Sequence, residues 1–178
     1  MMELLARFRV ALGWVFAPLV FILANPSAES LLVGALVAVA GEAIRVWASG
    51  HLYKAREVTS SGPYRYFAHP LYVGSSLIGV GLGLAAANPI AMVLIVAYLA
   101  LTLRAAVKTE EALLRRAFGD QYDLYLQQRV VNRTRRFSVA QALANREYRA
   151  VAGVLVAMLM LALKATYNGS LWRTGVGP

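Results

Sequence analysis

The sequence contains no cysteine. That excludes a disulfide framework, a thiolate metal site and a cysteine nucleophile. It has only two histidines, His51 and His69, too few for a multi-histidine zinc centre, so no metal is expected. Charge is also scarce. Lys, Arg, Asp and Glu make up 15% of the chain, against roughly a quarter in a soluble domain. Acids are the scarcer sign, with nine Asp and Glu against 18 Lys and Arg. What replaces charge is apolar residue, 59% of the total. The formal net charge of +9 could indicate nucleic acid, but the basic residues fall in loops between apolar segments. Membrane lipids, with an anionic surface, are the expected partner, and nucleic acid is not.

The apolar residues are gathered in five segments, at about 10–24, 31–50, 71–87, 90–107 and 150–165. Each approaches the ~20 residues a helix needs to cross a bilayer. Lipid cannot satisfy open backbone groups, so these segments predict an all-α, multi-pass transmembrane bundle of about five spans. The chain, 1–178, reads as a single membrane domain. The rival is a soluble helical protein with a large core, against which the length of the runs argues. Met1 to Arg7 resembles the start of a signal peptide, but Pro26 adjoins any small-residue cleavage site, so a retained first span is expected. Arg7, Arg9, Lys54, Arg56, Arg65 and the basic residues of 108–149 would share one side, with only Lys164 and Arg173 near the other. This asymmetry puts the N-terminus in the cytosol and the C-terminus opposite. Within 108–149, Leu113, Leu114, Phe118, Tyr122, Tyr125 and Leu126 recur at helical spacing, which predicts a cytosolic or interfacial amphipathic helix bent near Gly119-Asp120. Arg133, Arg135 and Arg136 suit lipid headgroups.

The residues able to carry chemistry lie at the edges of these spans. Gly62-Pro63 signals a turn, and His69-Pro70 starts the third span with Pro at its first helical position. The free N–H groups of that helix start suit a carboxylate or phosphate. Tyr64, Tyr66, Phe67 and Tyr72 are expected around it, where aromatic faces could hold a flat base or a sulfonium. An interfacial aromatic belt is the plainer alternative. Glu110-Glu111 follows the fourth span. Adjacent residues do not share a helix face, so one carboxylate can enter the bundle while the other stays solvated. Its partner is either Arg104 or Lys108, or a cationic ligand. Glu42 and Arg45 are expected to form a mutual ion pair, and His51 and Lys54 to contact headgroups. Ser75, Gly79 and Gly83 share a face suited to close helix packing or to close approach of a ligand.

The run Gly62-Pro63-Tyr64-Arg65-Tyr66-Phe67-Ala68-His69-Pro70-Leu71-Tyr72-Val73-Gly74, then Glu110-Glu111, then Phe118-Gly119-Asp120-Gln121-Tyr122-Asp123-Leu124-Tyr125 resembles the isoprenylcysteine carboxyl methyltransferases and the related phospholipid methyltransferases. The similarity spans roughly 41–131. It implies an S-adenosylmethionine cofactor held between membrane helices and the cytosolic segment. It implies cofactor contacts from Arg56, Glu57, Val58, Thr59, Tyr64, His69, Pro70, Leu71, Tyr72 and Glu110, with Glu111 completing the acidic pair. Two departures bear on the acceptor. Ala68 stands where the family usually has Arg, and Ala106 stands where an Arg would meet an acceptor carboxylate, leaving Arg104 and Lys108 as candidate substrate contacts.

A lipophilic, lipid or lipidated acceptor delivered from the bilayer follows from the apolar setting, with carboxyl O-methylation or amine N-methylation as the reaction. An amine would need a general base, and the sequence assigns none. Sterol reductases that use NADPH carry a similar segment, but with Asn where Leu71 stands and usually an acid where Ser75 stands. A non-catalytic lipid-binding or scaffold protein is the alternative from another class, for which Ala68 and Ala106 speak.

Overall fold

The computed structural model describes residues 13, 15–53, 56–127 and 135–171. The start of the first expected span and Lys54, Arg133 and Arg173 lie outside them. The described residues are helical with no strand. Helix α1 covers 15–23, α2 Ala28–His51, α3 Pro70–Ala86, α4 Pro89–Phe118, α5 Asp120–Leu126, α6 Val139–Ala144 and α7 Tyr148–Tyr167. Three are long and apolar enough to cross a membrane, namely α2, α4 and α7, and α3 is a shorter apolar helix.

Local chemistry sets most of the boundaries. Ser27 and Ser30 form a reciprocal capping box that starts α2. Asn88 caps α4 by accepting from the Ala91 N–H, and Pro89 occupies its first position. Helix α4 continues for 30 residues, about 45 Å at 1.5 Å per residue. The expected fourth span, 90–107, and the start of the polar segment are therefore one uninterrupted helix, whose last turns project past an apolar slab of ~30 Å. It ends at Gly119, whose φ of +54° turns the chain back into α5, where the sequence predicts a bend.

Packing rests on small residues. Helices α2 and α3 form the most extensive seam. A Cβ on Gly34 would lie 2.5 Å from the Gly81 carbonyl, and one on Gly41 would lie 2.7 Å from that of Gly74. The two backbones thus touch directly, the membrane device in which small residues admit close dispersion contact. On α3's other side, Gly79 and Gly83 receive Leu99 and Met92 of α4, the close packing expected of them, and Gly79 also borders an apolar cavity. One end of the bundle closes on a small apolar core of Ala24, Ala85, Ala86, Ala91 and Leu161. At that end Lys164 donates to the Phe21 and Ile22 carbonyls, capping α1. The opposite end gathers the C-terminal ends of α2 and α4, the start of α3, the start of α7, and α5 and α6.

Candidate active site

At this second end, residues 62–65 form a single 3-10 turn. Gly62 has φ +59°, and a Cβ there would meet the His51 ring at 2.7 Å, so both conformation and space require glycine. His51 itself is 4% exposed, donates from Nδ1 to the Trp47 carbonyl at 2.9 Å and packs beside Phe137. It is a buried spacer behind the turn, not the headgroup contact expected from its place at the end of a span. The turn carries Pro63 and Tyr64 inward and leaves Tyr66 70% and Phe67 47% exposed. Those two aromatics therefore do not wall the site as expected.

His69 is the N-cap of α3, and Pro70 its first residue. No side chain caps this end. Pro70 has no N–H, and the Tyr72 and Val73 N–H groups donate to the His69 carbonyl at 3.0 and 3.2 Å, so the Leu71 N–H is the first-turn donor left for a ligand. The imidazole sits between the two carboxylates of the acidic pair. Nδ1 lies 3.8 Å from Glu110 Oε2, and Nε2 lies 3.4 Å from Glu111 Oε1. Tyr72 is tilted beside it at 5.7 Å between ring centroids. Glu111 also binds Arg115 at 3.3 Å, and Arg115 reaches Asp123 of α5 at 3.1 Å. Neither Arg104 nor Lys108, both exposed on α4, bonds to the acidic pair. Its partners are His69 and Arg115, one from another helix and one a turn later on its own.

Sequence reasoning missed two aromatics as site residues. The reversal at Gly119 folds α5 back so that Tyr122 is 1% exposed, with its hydroxyl 3.5 Å from His69 Nε2. The Tyr125 hydroxyl donates to the Tyr64 carbonyl at 2.8 Å. Their helical spacing read as an amphipathic stripe, and their recurrence in the family-like run was the one signal available. Burial, and then the Glu111 carboxylate, push the Tyr122 phenol up to about 12. Burial and then Glu110 raise that of Tyr64 further. Both stay neutral donors at ordinary pH.

Of the residues before the turn, Arg56 is exposed and Glu57 pairs with Arg135 at 2.9 Å. Val58 is half-buried and Thr59 buried. The Thr59 and Ser61 hydroxyls are buried without a hydrogen-bond partner, an arrangement that a polar ligand would complete. Arg45 departs from the expected pairing. It lies 3.9 Å from Glu42 but 2.7 Å from Glu147, the N-cap of α7. Its other nitrogen donates to Ser75 and to the Leu71 carbonyl. One guanidinium thus joins α2, the first turns of α3 and the start of α7.

Below the polar end lies an open apolar cavity of about 660 Å³, between α1, α3, α4 and α7. Phe16, Phe21, Ile78, Leu82, Leu99 and Met160 are among its lining. A smaller one of about 300 Å³ shares Ser75, Ile78 and Leu82 with it and reaches Arg45.

Residues 30–121, more than half of the chain, match the phospholipid methyltransferase family. The chain belongs to that family. No curated protein and no solved structure matches it. Membership of the phospholipid methyltransferase family, with three helices able to cross a membrane, makes it an integral membrane protein of a methyltransferase family. The family segment holds α2, α3, α4 and the acidic pair. Helices α1, α6 and α7 fall outside it, as do Tyr122 and Tyr125.

Proposed function

We propose that the protein is an S-adenosylmethionine-dependent methyltransferase acting on a lipophilic acceptor, with its cofactor at the start of α3. The observation that carries this reading is His69 held between Glu110 and Glu111, with the Tyr122 hydroxyl 3.5 Å from its Nε2. The cluster of Glu110, Glu111 and Asp123 outweighs Arg115 in charge. An acid excess favours an ammonium or sulfonium and disfavours the 2′-phosphate of NADPH. The uncapped start of α3 suits a carboxylate, and the hydroxyls of Thr59 and Ser61 suit a ribose. S-adenosylmethionine supplies an electrophilic methyl group. The protein's share is alignment and exclusion of water, which together can supply roughly 7–11 kcal/mol.

The full set Arg56, Glu57, Val58, Thr59, Tyr64, His69, Pro70, Leu71, Tyr72, Glu110 and Glu111 is retained as the proposed cofactor surroundings, and Arg104 and Lys108 as proposed acceptor contacts. The apolar cavity begins at Ser75, about 8 Å below the start of α3, and reaches Leu82 at about 18 Å. Its volume falls within the ~300–1,000 Å³ of ligand pockets, and it offers room for an acceptor's hydrocarbon. Five spans, with the active end in the cytosol, fit the placement of nearly all the described basic residues toward that end and of Lys164 at the other.

Calorimetry with S-adenosylhomocysteine on the nanodisc-reconstituted protein tests the reading. Binding is expected for the wild type, abolished in Glu110→Ala and unchanged in Glu29→Ala, at the opposite end of α2. Absence of binding by folded wild type would sink it, and NADPH binding in its place would move the protein to the reductase class.

A further inference from the structure

The α6–α7 junction lies outside the family segment, and the proposed methyl transfer leaves it unused. Helix α6 is held to the end of α2 by one face. Gln141 donates to the Leu52 carbonyl at 2.9 Å, and Asn145 donates to those of Ser49 and Leu52 at 2.8 Å. Ala142 is buried between them in sequence. The opposite face presents Val139, 63% exposed, and Leu143, 55% exposed. Exposed Phe137 and Tyr148 flank it. Around these apolar residues stand Arg136, Arg146 and Arg149, all exposed and without an ion pair or hydrogen bond from their side chains among the described residues. The nearby acids are already committed, Glu147 to Arg45 and Glu57 to Arg135.

Arg146 adds a second observation. It has φ +61° and occupies the left-handed position that closes α6, with Glu147 N–H donating back to the Ala142 carbonyl at 3.1 Å. Glycine is the usual residue there, because a Cβ is strained in that conformation. An arginine at a glycine position, exposed and unpaired among the described residues, points to use of its side chain. The patch is continuous with the lipid-facing side of α7, where Leu155, Val156, Leu159 and Leu163 are exposed. Aliphatic residues beside unpaired guanidinium groups at the head of an apolar helix match the acyl–headgroup boundary of a bilayer.

We propose that Arg136, Arg146 and Arg149, with Val139, Leu143 and Tyr148, form a binding site for the headgroup of an anionic phospholipid. The guanidinium groups take the phosphate, and the aliphatic residues lie against the first carbons of the chains. This site is independent of the methyltransferase reading, and its test needs no turnover.

The full-length protein is reconstituted in equal parts phosphatidylglycerol and phosphatidylcholine and re-extracted in mild detergent. The retained lipids are then measured by mass spectrometry. Wild type retains phosphatidylglycerol in excess. Arg136→Gln, Arg149→Gln and Arg146→Gly each lower the excess by up to about fivefold, from the attraction of ~1 kcal/mol per basic residue at a charged surface. Arg146→Gly removes a strained residue, so its melting temperature is equal to or above that of the wild type, which separates lost binding from lost folding. Arg116→Gln, exposed on α4, leaves the ratio unchanged. An undiminished ratio in a variant carrying Arg136→Gln, Arg146→Gly and Arg149→Gln together would overturn the site, and so would an equal loss in Arg116→Gln.

Discussion

The two ends of the bundle are built from the same helices by different means. At one end, Ala24, Ala85, Ala86 and Ala91 pack tightly, and the polar groups left over are backbone carbonyls. Ser30 donates to that of Ala85, the Asn25 N–H to that of Ala86 at 2.7 Å, and Lys164 to those of α1. Among the described residues, no buried side-chain polar atom at that end lacks a hydrogen-bond partner. At the other end the helix ends carry Glu42, Arg45, His69, Glu110 and Glu111. Several buried polar atoms there, on Glu42, Thr59 and Ser61, have no hydrogen-bond partner. An end that completes itself serves as a clamp, while an end left incomplete can bind something else.

Removing a key partner from the incomplete end has the largest expected effect. Glu147→Ala leaves the half-buried Arg45 guanidinium with only the more distant Glu42, and a broken buried pair costs at most about 3–5 kcal/mol. Denaturation in detergent should show the loss. Because Arg45 also holds the first turns of α3, affinity for S-adenosylhomocysteine should fall with it. A Glu147→Ala variant with unaltered stability would show that the three-helix joint adds nothing to the stability of the fold. The clamp end should respond differently. Gly81→Val forces a side chain into the Gly34 carbonyl, which a Cβ would meet at 2.6 Å. Overpacking of about 1–3 kcal/mol is expected, with cofactor affinity kept wherever the protein remains folded. A selective loss of affinity in Gly81→Val would erase the contrast between the ends.

The smallest effect is a titration. In the folded protein Tyr122 keeps its proton to about 12, against an ordinary value of 10.0. The unfolded chain therefore loses protons first. Below pH 10 the group is neutral in both states and stability is unaffected, and between about 10 and 12 stability falls as pH rises. Tyr122→Phe should flatten part of that decline in an alkaline unfolding series, and an unchanged decline would place the phenol in water.

The fold was legible in the sequence because membrane spans advertise themselves as long apolar runs, and because Asn88-Pro89 and Gly119 punctuate them. The link from His69 to the acidic pair was legible only as two separate clusters in a family-like run. Nothing in helical spacing says that an imidazole at the start of α3 will sit between two consecutive carboxylates on α4. Adjacent side chains normally diverge, and here a single ring at their midline reaches both. The Arg45–Glu147 pair was hidden for a different reason. Glu42 is the only acid near Arg45 in sequence, and the closer partner arrives from the far end of the chain on α7. Tyr66 and Phe67 do not wall the site because the turn buries Pro63 and Tyr64 and leaves residues 65–68 on the outside, which composition cannot show.

The unbroken length of α4 has one more consequence. Glu110 stands 21 residues past Pro89 on a single rod, about 32 Å from the hairpin at 1.5 Å per residue. Tilting that rod by as little as ~5° about the hairpin sweeps its far end through ~3 Å, nearly the whole separation between His69 and its carboxylates. Helices answer a change in bilayer thickness largely by tilting. A bilayer that tilted α4 relative to α3 would therefore change the distance of the acidic pair from His69.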